Sequence, residues 1–196
     1  MKYINQLIFI STVILSLTSC TALKDRLAIY NAPNQGYLVL SQSATKDTIY
    51  GLYTLKVRYK DDEEFTINYL QNNMFKPDNR DFNDNNSNGK VSIFNLPPGK
   101  YKIFSYVVAQ QGNGLSWFPK DEISIPFEIK TNEITYLGEY LAIKQTGKNL
   151  FGHTIPWGAI IKVENQFERD MSIAKKRNKK FEQLKINKQV PKIKSL

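Results

Sequence analysis

From Gly36 to Asn165 the chain alternates apolar and polar residues in eight short segments: YLVLSQS, LYTLKVRYK, FTINYL, KVSIFNL, YKIFSYVVA, ISIPFEIK, EITYLGEYLAI and WGAIIKVEN. Each is rich in Val, Ile, Tyr, Phe and Thr, and Gly, Pro, Asn or Asp punctuate the gaps. A period of two over four to eight residues puts one set of side chains on one face of a strand. Closely spaced strands with no helical segment between them predict an all-β domain, an antiparallel sandwich of about seven or eight strands over 36–165. After Glu164 the period becomes 3.6. Phe167, Met171, Ala174, Phe181 and Leu184 share one face while the lysines fall mostly elsewhere, which predicts a basic amphipathic helix and tail over 166–196 with a frayed end at PKIKSL.

The first residues follow a different rule. MKYINQLIFISTVILSLTSC has one basic residue, Lys2, then an apolar run from Leu7 to Leu17 broken only by Ser11, Thr12 and Ser16. A bilayer span needs roughly 20 apolar residues and a secretory h-region about 7–15, so the run reads as a signal peptide. Its end, Leu17-Thr18-Ser19-Cys20, resembles the bacterial lipobox. That resemblance implies a signal over 1–19, a diacylglyceryl thioether on Cys20, and a lipidated tether over 20–35. Two or three acyl chains make a stable anchor where one makes a marginal one. Thr21 follows the lipidated position, and the absence of Asp there implies, by the same resemblance, the outer membrane facing the periplasm. Cys20 is the only cysteine, so the fold has no intramolecular disulfide and rests on its core.

The net charge of +9 suggests a polyanion binder until it is mapped. Arg169 to Leu196 carries ten Lys/Arg against two acids, whereas Thr21 to Glu168 carries sixteen of each. The body is neutral and the basicity belongs to the tail, so long-range attraction of an anionic surface falls to Lys175, Lys176, Arg177, Lys179 and Lys180. An exported chain meets little nucleic acid, and none is expected as a partner.

The stretch from Asp84 to Ile103, DNNSNGKVSIFNLPPGKYKI, resembles the D-x-x-G-x-[FV]-x-[FI]-x-x-L-P-P-G-x-Y signature of carboxypeptidase-regulatory-like and prealbumin-like β-sandwich domains. Asn88-Gly89 is expected to supply a turn, Val91 and Ile93 to alternate into the core with Leu96 closing it, Pro97-Pro98-Gly99 to reverse the chain, and Tyr101 to start the next strand with its ring inward. The later run from Ser124 to Tyr140 looks like the closing strands of such sandwiches in bacterial lipoproteins. Families of this kind are mostly non-enzymatic, so the resemblance implies binding or scaffolding. Fold alone does not establish it.

Candidate chemistry is sparse. Asp84, Asn86, Asn88 and Gly89 match the front of a calcium loop, but the twelfth position is Asn95 rather than a bidentate carboxylate, so the stretch reads as an Asn-rich turn. His153 is the sole histidine, which removes two-histidine metal sites, and no G-x-S-x-G accompanies it; it reads as an exposed loop residue. Asp61, Asp62, Glu63 and Glu64 read as a solvated hairpin tip, since neighbours in a strand point apart. In GNGLSWFP, Trp117 and Phe118 are the candidate ligand or partner contacts, with rings that stack on a sugar or an apolar knob, or else fold back to cap the sandwich. Trp157 is expected in the core.

Taken together these features predict a membrane-anchored envelope lipoprotein, non-enzymatic, that binds or scaffolds a protein or glycan, with no metal, cofactor or small-molecule substrate. The competing reading is a small periplasmic hydrolase in which His153 converges with a second group such as Asp121-Glu122.

Overall fold

A computed structural model of the chain describes residues 32–46, 51–59, 63–71, 80–110, 114–193 and 196. The expected signal, Cys20 and most of the tether lie outside the described residues, as do Asp61 and Asp62. The elements run β1 (Gly36–Thr45), β2 (Gly51–Tyr59), β3 (Glu63–Leu70), β4 (Phe82–Asn83), β5 (Ser87–Leu96), β6 (Gly99–Gln110), β7 (Ser116–Trp117), β8 (Ile125–Ile129), β9 (Glu133–Lys148), β10 (Thr154–Glu164), α1 (Phe167–Arg177), a 3-10 turn (Lys179–Glu182) and β11 (Lys185–Lys188). Each of the eight alternating segments supplies a strand among the described residues, and no described residue between Gly36 and Asn165 is helical. β4 and β7, two residues each, are too short to leave a period in the sequence.

The strands form two sheets. One has the order β10-β9-β1-β5-β4 with β11 also on β9; the other has the order β3-β2-β6-β7 with β8 also on β6. Between them lies the main core, with Leu38 and Leu40 from one sheet and Tyr53, Leu55, Val57, Ile67 and Ile103 from the other. The first sheet is not purely antiparallel, contrary to expectation: β1 runs parallel to β9, and so does β11. Parallel neighbours need long connections, and residues between β1 and β9 supply one by building the whole second sheet.

β1 is buried along nearly its whole length, because the first sheet is covered on both faces. Leu38, Leu40 and Ala44 face the second sheet, while Tyr37 and Val39 face a second core completed by Met171, Ala174 and Phe181. The molecule is therefore three layers, sheet on sheet on helix. The LPPG turn lies where the signature suggests, but it carries the chain across from β5 in one sheet to β6 in the other. Tyr101 starts β6 with its ring stacked on Tyr59 and Phe127, and its hydroxyl donates to the Pro97 carbonyl at 2.7 Å. Two details differ. Val91 and Ile93 pack under the helix rather than between the sheets, and Asn88 and Gly89 lie inside β5, the turn itself being Asp84–Asn86.

β9 is the strand that organises the edge. Its first four residues pair with β11 and its residues from Glu139 on pair with β10. The handover falls at Gly138, where φ is +92° and the register to β1 slips between Val39 and Ser41. A Cβ there would sit 2.7 Å from the Glu164 carbonyl, so both the conformation and the space demand glycine.

The tail departs most from expectation. Only Phe167–Arg177 is α-helix; Asn178 ends it, and the chain then returns as β11. The expected frayed end is a strap: Val190, Ile193 and Leu196 pack on the main core, and Leu196 N–H donates to the Ile161 carbonyl at 2.8 Å. Gln189 clasps β8 by accepting from Glu128 N–H at 3.0 Å and donating to its carbonyl at 3.0 Å. An open sandwich edge has unpaired backbone and apolar side chains to cover, and this segment covers both.

Candidate functional site

Two places concentrate side chains that packing alone does not explain. The first is the end of the sandwich at the β9–β10 hairpin. β1 and β9 run in the same direction, so this end lies away from Gly36, the first residue of β1. β9 pairs with β1 only as far as Ala142, and the arm then continues with β10 alone. Its turn is fastened by Asn149, whose side-chain oxygen accepts from the N–H groups of Phe151 and His153 at 3.0 and 2.9 Å. That clamp holds Leu150 fully in solvent and Phe151 84% exposed.

Trp157 stands on the same arm, 71% exposed rather than in the core as expected. Its parity with Ile161 and Val163 would turn it inward, but the register slips between Pro156 and Gly158, and the bulge aims the indole out beside Gly147. The two expected contact residues arrive at this end from the other sheet. Trp117 is half-buried, lining a narrow slot with Val108, Ala142, Gly158 and Ala159, so it caps the core. Phe118 next to it is 68% exposed. Leu115, Phe118, Leu150, Phe151 and Trp157 are the exposed large apolar side chains of the described residues; the last three are on the arm, and the first two flank β7, whose Trp117 lies against the arm's base at Ala142 and Gly158.

The second place lies where α1 meets the sheet. Asp170, buried, accepts from the Ser41 hydroxyl at 2.7 Å, the Tyr136 hydroxyl at 2.8 Å and Arg169 at 2.9 Å. Arg169 also reaches Asp84 at 2.8 Å and Glu139 at 3.3 Å, and lies over the Phe82 ring. Burial alone would lower the Arg169 pKa, but Glu139, Asp170 and Asp84 hold it above its ordinary value. Burial pushes the Tyr136 hydroxyl far up, reinforced by Asp170. Glu139, only 2% exposed, is raised mainly by burial and by Asp170, against the opposing effects of Ser43 and Arg169. A polar cleft of about 480 Å³ opens above this network, lined by Thr45, Asp84, Ser87, Glu139, Gln166 and Arg169. Asp84 and Glu139 in its lining converge on the Arg169 guanidinium while Glu164 pairs with Lys162, and among the described residues no group of three or more His, Cys, Asp or Glu is placed to hold a metal. The network fastens the helix to the sheet. Sequence reasoning missed it because its members are far apart in the chain and each one singly is an ordinary surface residue.

The other candidates separate. Asp84 is engaged by Arg169, and the Asn88 side-chain oxygen accepts from Tyr69 and Gln71, so the calcium-loop oxygens do not converge. His153 is exposed at the hairpin turn. Glu122 is paired with Arg58 and Lys102 and held below the usual carboxylate range, first by Lys102; it lies at the Lys102 end of β6, whereas the hairpin rises beside the Val108 end. Glu64 pairs with Arg58 on the β2–β3 hairpin. Of the tail cations, Arg177 pairs with Asp81 and donates to the Val91 carbonyl, Lys180 donates to the Tyr37 hydroxyl at 3.1 Å, and Lys179 pairs with Glu182. Lys176 is exposed and Lys175 half-buried. The five cations are thus not one free basic face, because Arg177 and Lys180 hold the tail to the sheet and Lys179 pairs within the tail.

No family model matches the chain, and no curated protein matches it. Among solved structures it is similar to a leucine-rich repeat protein of Bacteroides thetaiotaomicron, with 12% identity, a TM-score of 0.35, and coverage of 56% of this chain and 14% of that one. A candidate cell adhesion protein of Parabacteroides distasonis gives 11% identity, a TM-score of 0.33, and coverage of 68% of this chain and 39% of that one. The chain spans less than half the length of either, and likeness at this level carries no argument about function.

Proposed function

We propose that the protein is a lipid-anchored envelope protein, non-enzymatic, that presents the β9–β10 end of its sandwich to a partner. The observation that carries this reading is the gathering of five exposed large apolar side chains at the end opposite Gly36. Apolar side chains scattered singly over a surface need no explanation, but three on one hairpin stiffened by Asn149, with two more beside β7 at its base, form a contact surface. The tether fits. If extended, residues 21–35 would reach at most about 50 Å, enough for the body to turn its β9–β10 end toward the membrane that would hold Cys20.

The competing hydrolase reading gains no support: His153 is exposed at the hairpin turn, and Glu122 pairs with Arg58 and Lys102 toward the other end of β6. Two measurements test the proposal. Cys20→Ala should yield a precursor that is not processed and incorporates no labelled palmitate; surviving label would remove the anchor. A photo-crosslinking residue at position 118, in intact cells, should give discrete adducts that one at Lys56 does not. Equal labelling from both positions would remove the contact surface.

A further inference from the structure

We infer that the partner of the β9–β10 hairpin is an anionic lipid surface, into which Leu150 and Phe151 insert. This deepens the preceding reading, resting on it only for the choice of the apolar end as the working surface.

The β9–β10 arm is a long projection. Beyond Ala142 it stands without β1, and six further residues of β9 carry its turn roughly 20 Å past the rest of that sheet. Two adjacent residues in a strand point to opposite faces, but in this turn Leu150 and Phe151 are both in solvent, at the furthest point of the arm. A protein partner would be met by a flat or grooved apolar patch with a polar rim; two projecting side chains at an apex suit a medium that closes around them.

Charge points the same way. From Ile143 to Ile161 there is no Asp or Glu, while Lys148 and His153 flank the apex and Lys144 lies lower on the arm. Lysines beside an apolar tip place their ammonium groups at headgroup depth while the tip enters the acyl boundary. Trp157 sits farther down the arm, held outward by the bulge, at the level where an indole prefers the membrane interface. Along the arm the indole stands between Lys148 and Lys144, level with Gln145 and Thr146, so the two lysines bracket it at the interface behind the apolar apex.

The test uses the full chain carrying Trp117→Phe, which leaves Trp157 as the sole indole of the two. It is mixed with vesicles of phosphatidylethanolamine and phosphatidylglycerol whose acyl chains carry bromine, and Trp157 emission is followed. Because the reporter is on the hairpin, the signal does not depend on how residues 1–20 associate with the vesicle. Quenching with a blue shift is expected. Leu150→Asp with Phe151→Asp should abolish it, since burying a Leu and a Phe corresponds to roughly a hundredfold or more in partitioning. Both side chains are exposed, so the fold should melt as before. Lys144→Gln with Lys148→Gln should weaken the partitioning about fivefold per lysine at low salt, with the difference lost as salt is raised. No quenching of Trp157, or quenching that survives the two aspartates, overturns the inference. Either result leaves the Cys20 labelling untouched, so failure here is distinct from failure of the envelope reading.

Discussion

Phe181→Ala is the sharpest test of the three-layer arrangement. The ring is completely buried, packed edge-on against Tyr37 at 4.9 Å between centroids, in a core shared with Val39, Ile134, Met171 and Ala174. Its surroundings are strand on one side and helix on the other, so little can collapse into the space left behind. Truncating a buried Phe costs about 3–5 kcal/mol. In a domain of this size each kcal/mol moves the melting temperature roughly 2–4 °C, so a fall of about 6–20 °C is expected. Phe118→Ala is the matched control: the same atoms are removed from a ring 68% exposed, and the melt should barely move. Both are read by circular dichroism in thermal and urea melts, the latter to show that the slope with denaturant is unchanged. If Phe181→Ala and Phe118→Ala melt alike, the tail is not docked, and the helix, the strap and the second core fall together.

Asp170→Ala leaves the Ser41 and Tyr136 hydroxyls and the Arg169 guanidinium short of a buried partner, and should destabilise by about 3–5 kcal/mol, whereas exposed Asp121→Ala should stay within about 0.5 kcal/mol. Equal effects in urea melts would deny the fastening role. Glu139 gives a pH signature. Its folded pKa lies above the ordinary 4.5, so between that value and the raised one the folded state keeps a proton that the unfolded chain has released. Stability therefore falls as pH rises through that window, and the deficit persists above it. Glu139→Gln mimics the neutral acid and should abolish this fall, melting at least as high as the native protein at neutral pH; a variant that loses stability equally at pH 5 and pH 7.5 would refute the assignment.

What was legible in the chain was local. Alternation over two residues is a property of a strand's own geometry, so the eight segments could be located from their patterns. The change of period at Phe167 marked the start of the helix for the same reason, and LPPG with Tyr101 marked a turn because proline and glycine restrict backbone directly. Whatever depended on what covers a face was not legible. β1 reads as a half-buried strand, but whether its second face meets water or Met171 and Phe181 is settled by a helix more than a hundred residues later in the chain. Trp157 has core parity and stands in solvent because a slip against β9 turned it. The tail follows a helical period to Leu184, but beyond Asn178 the free positions on β9 are a stronger lure: an unpaired strand edge and an uncovered core offer the chain hydrogen bonds and burial that an isolated last turn of helix lacks. The parallel pairing of β1 with β9, the convergence of Asp84, Glu139 and Asp170 on Arg169, and the apolar apex standing opposite Gly36 arise from contacts between distant segments. Those contacts leave no period in the sequence, because each residue's partner is chosen by the topology and not by its neighbours.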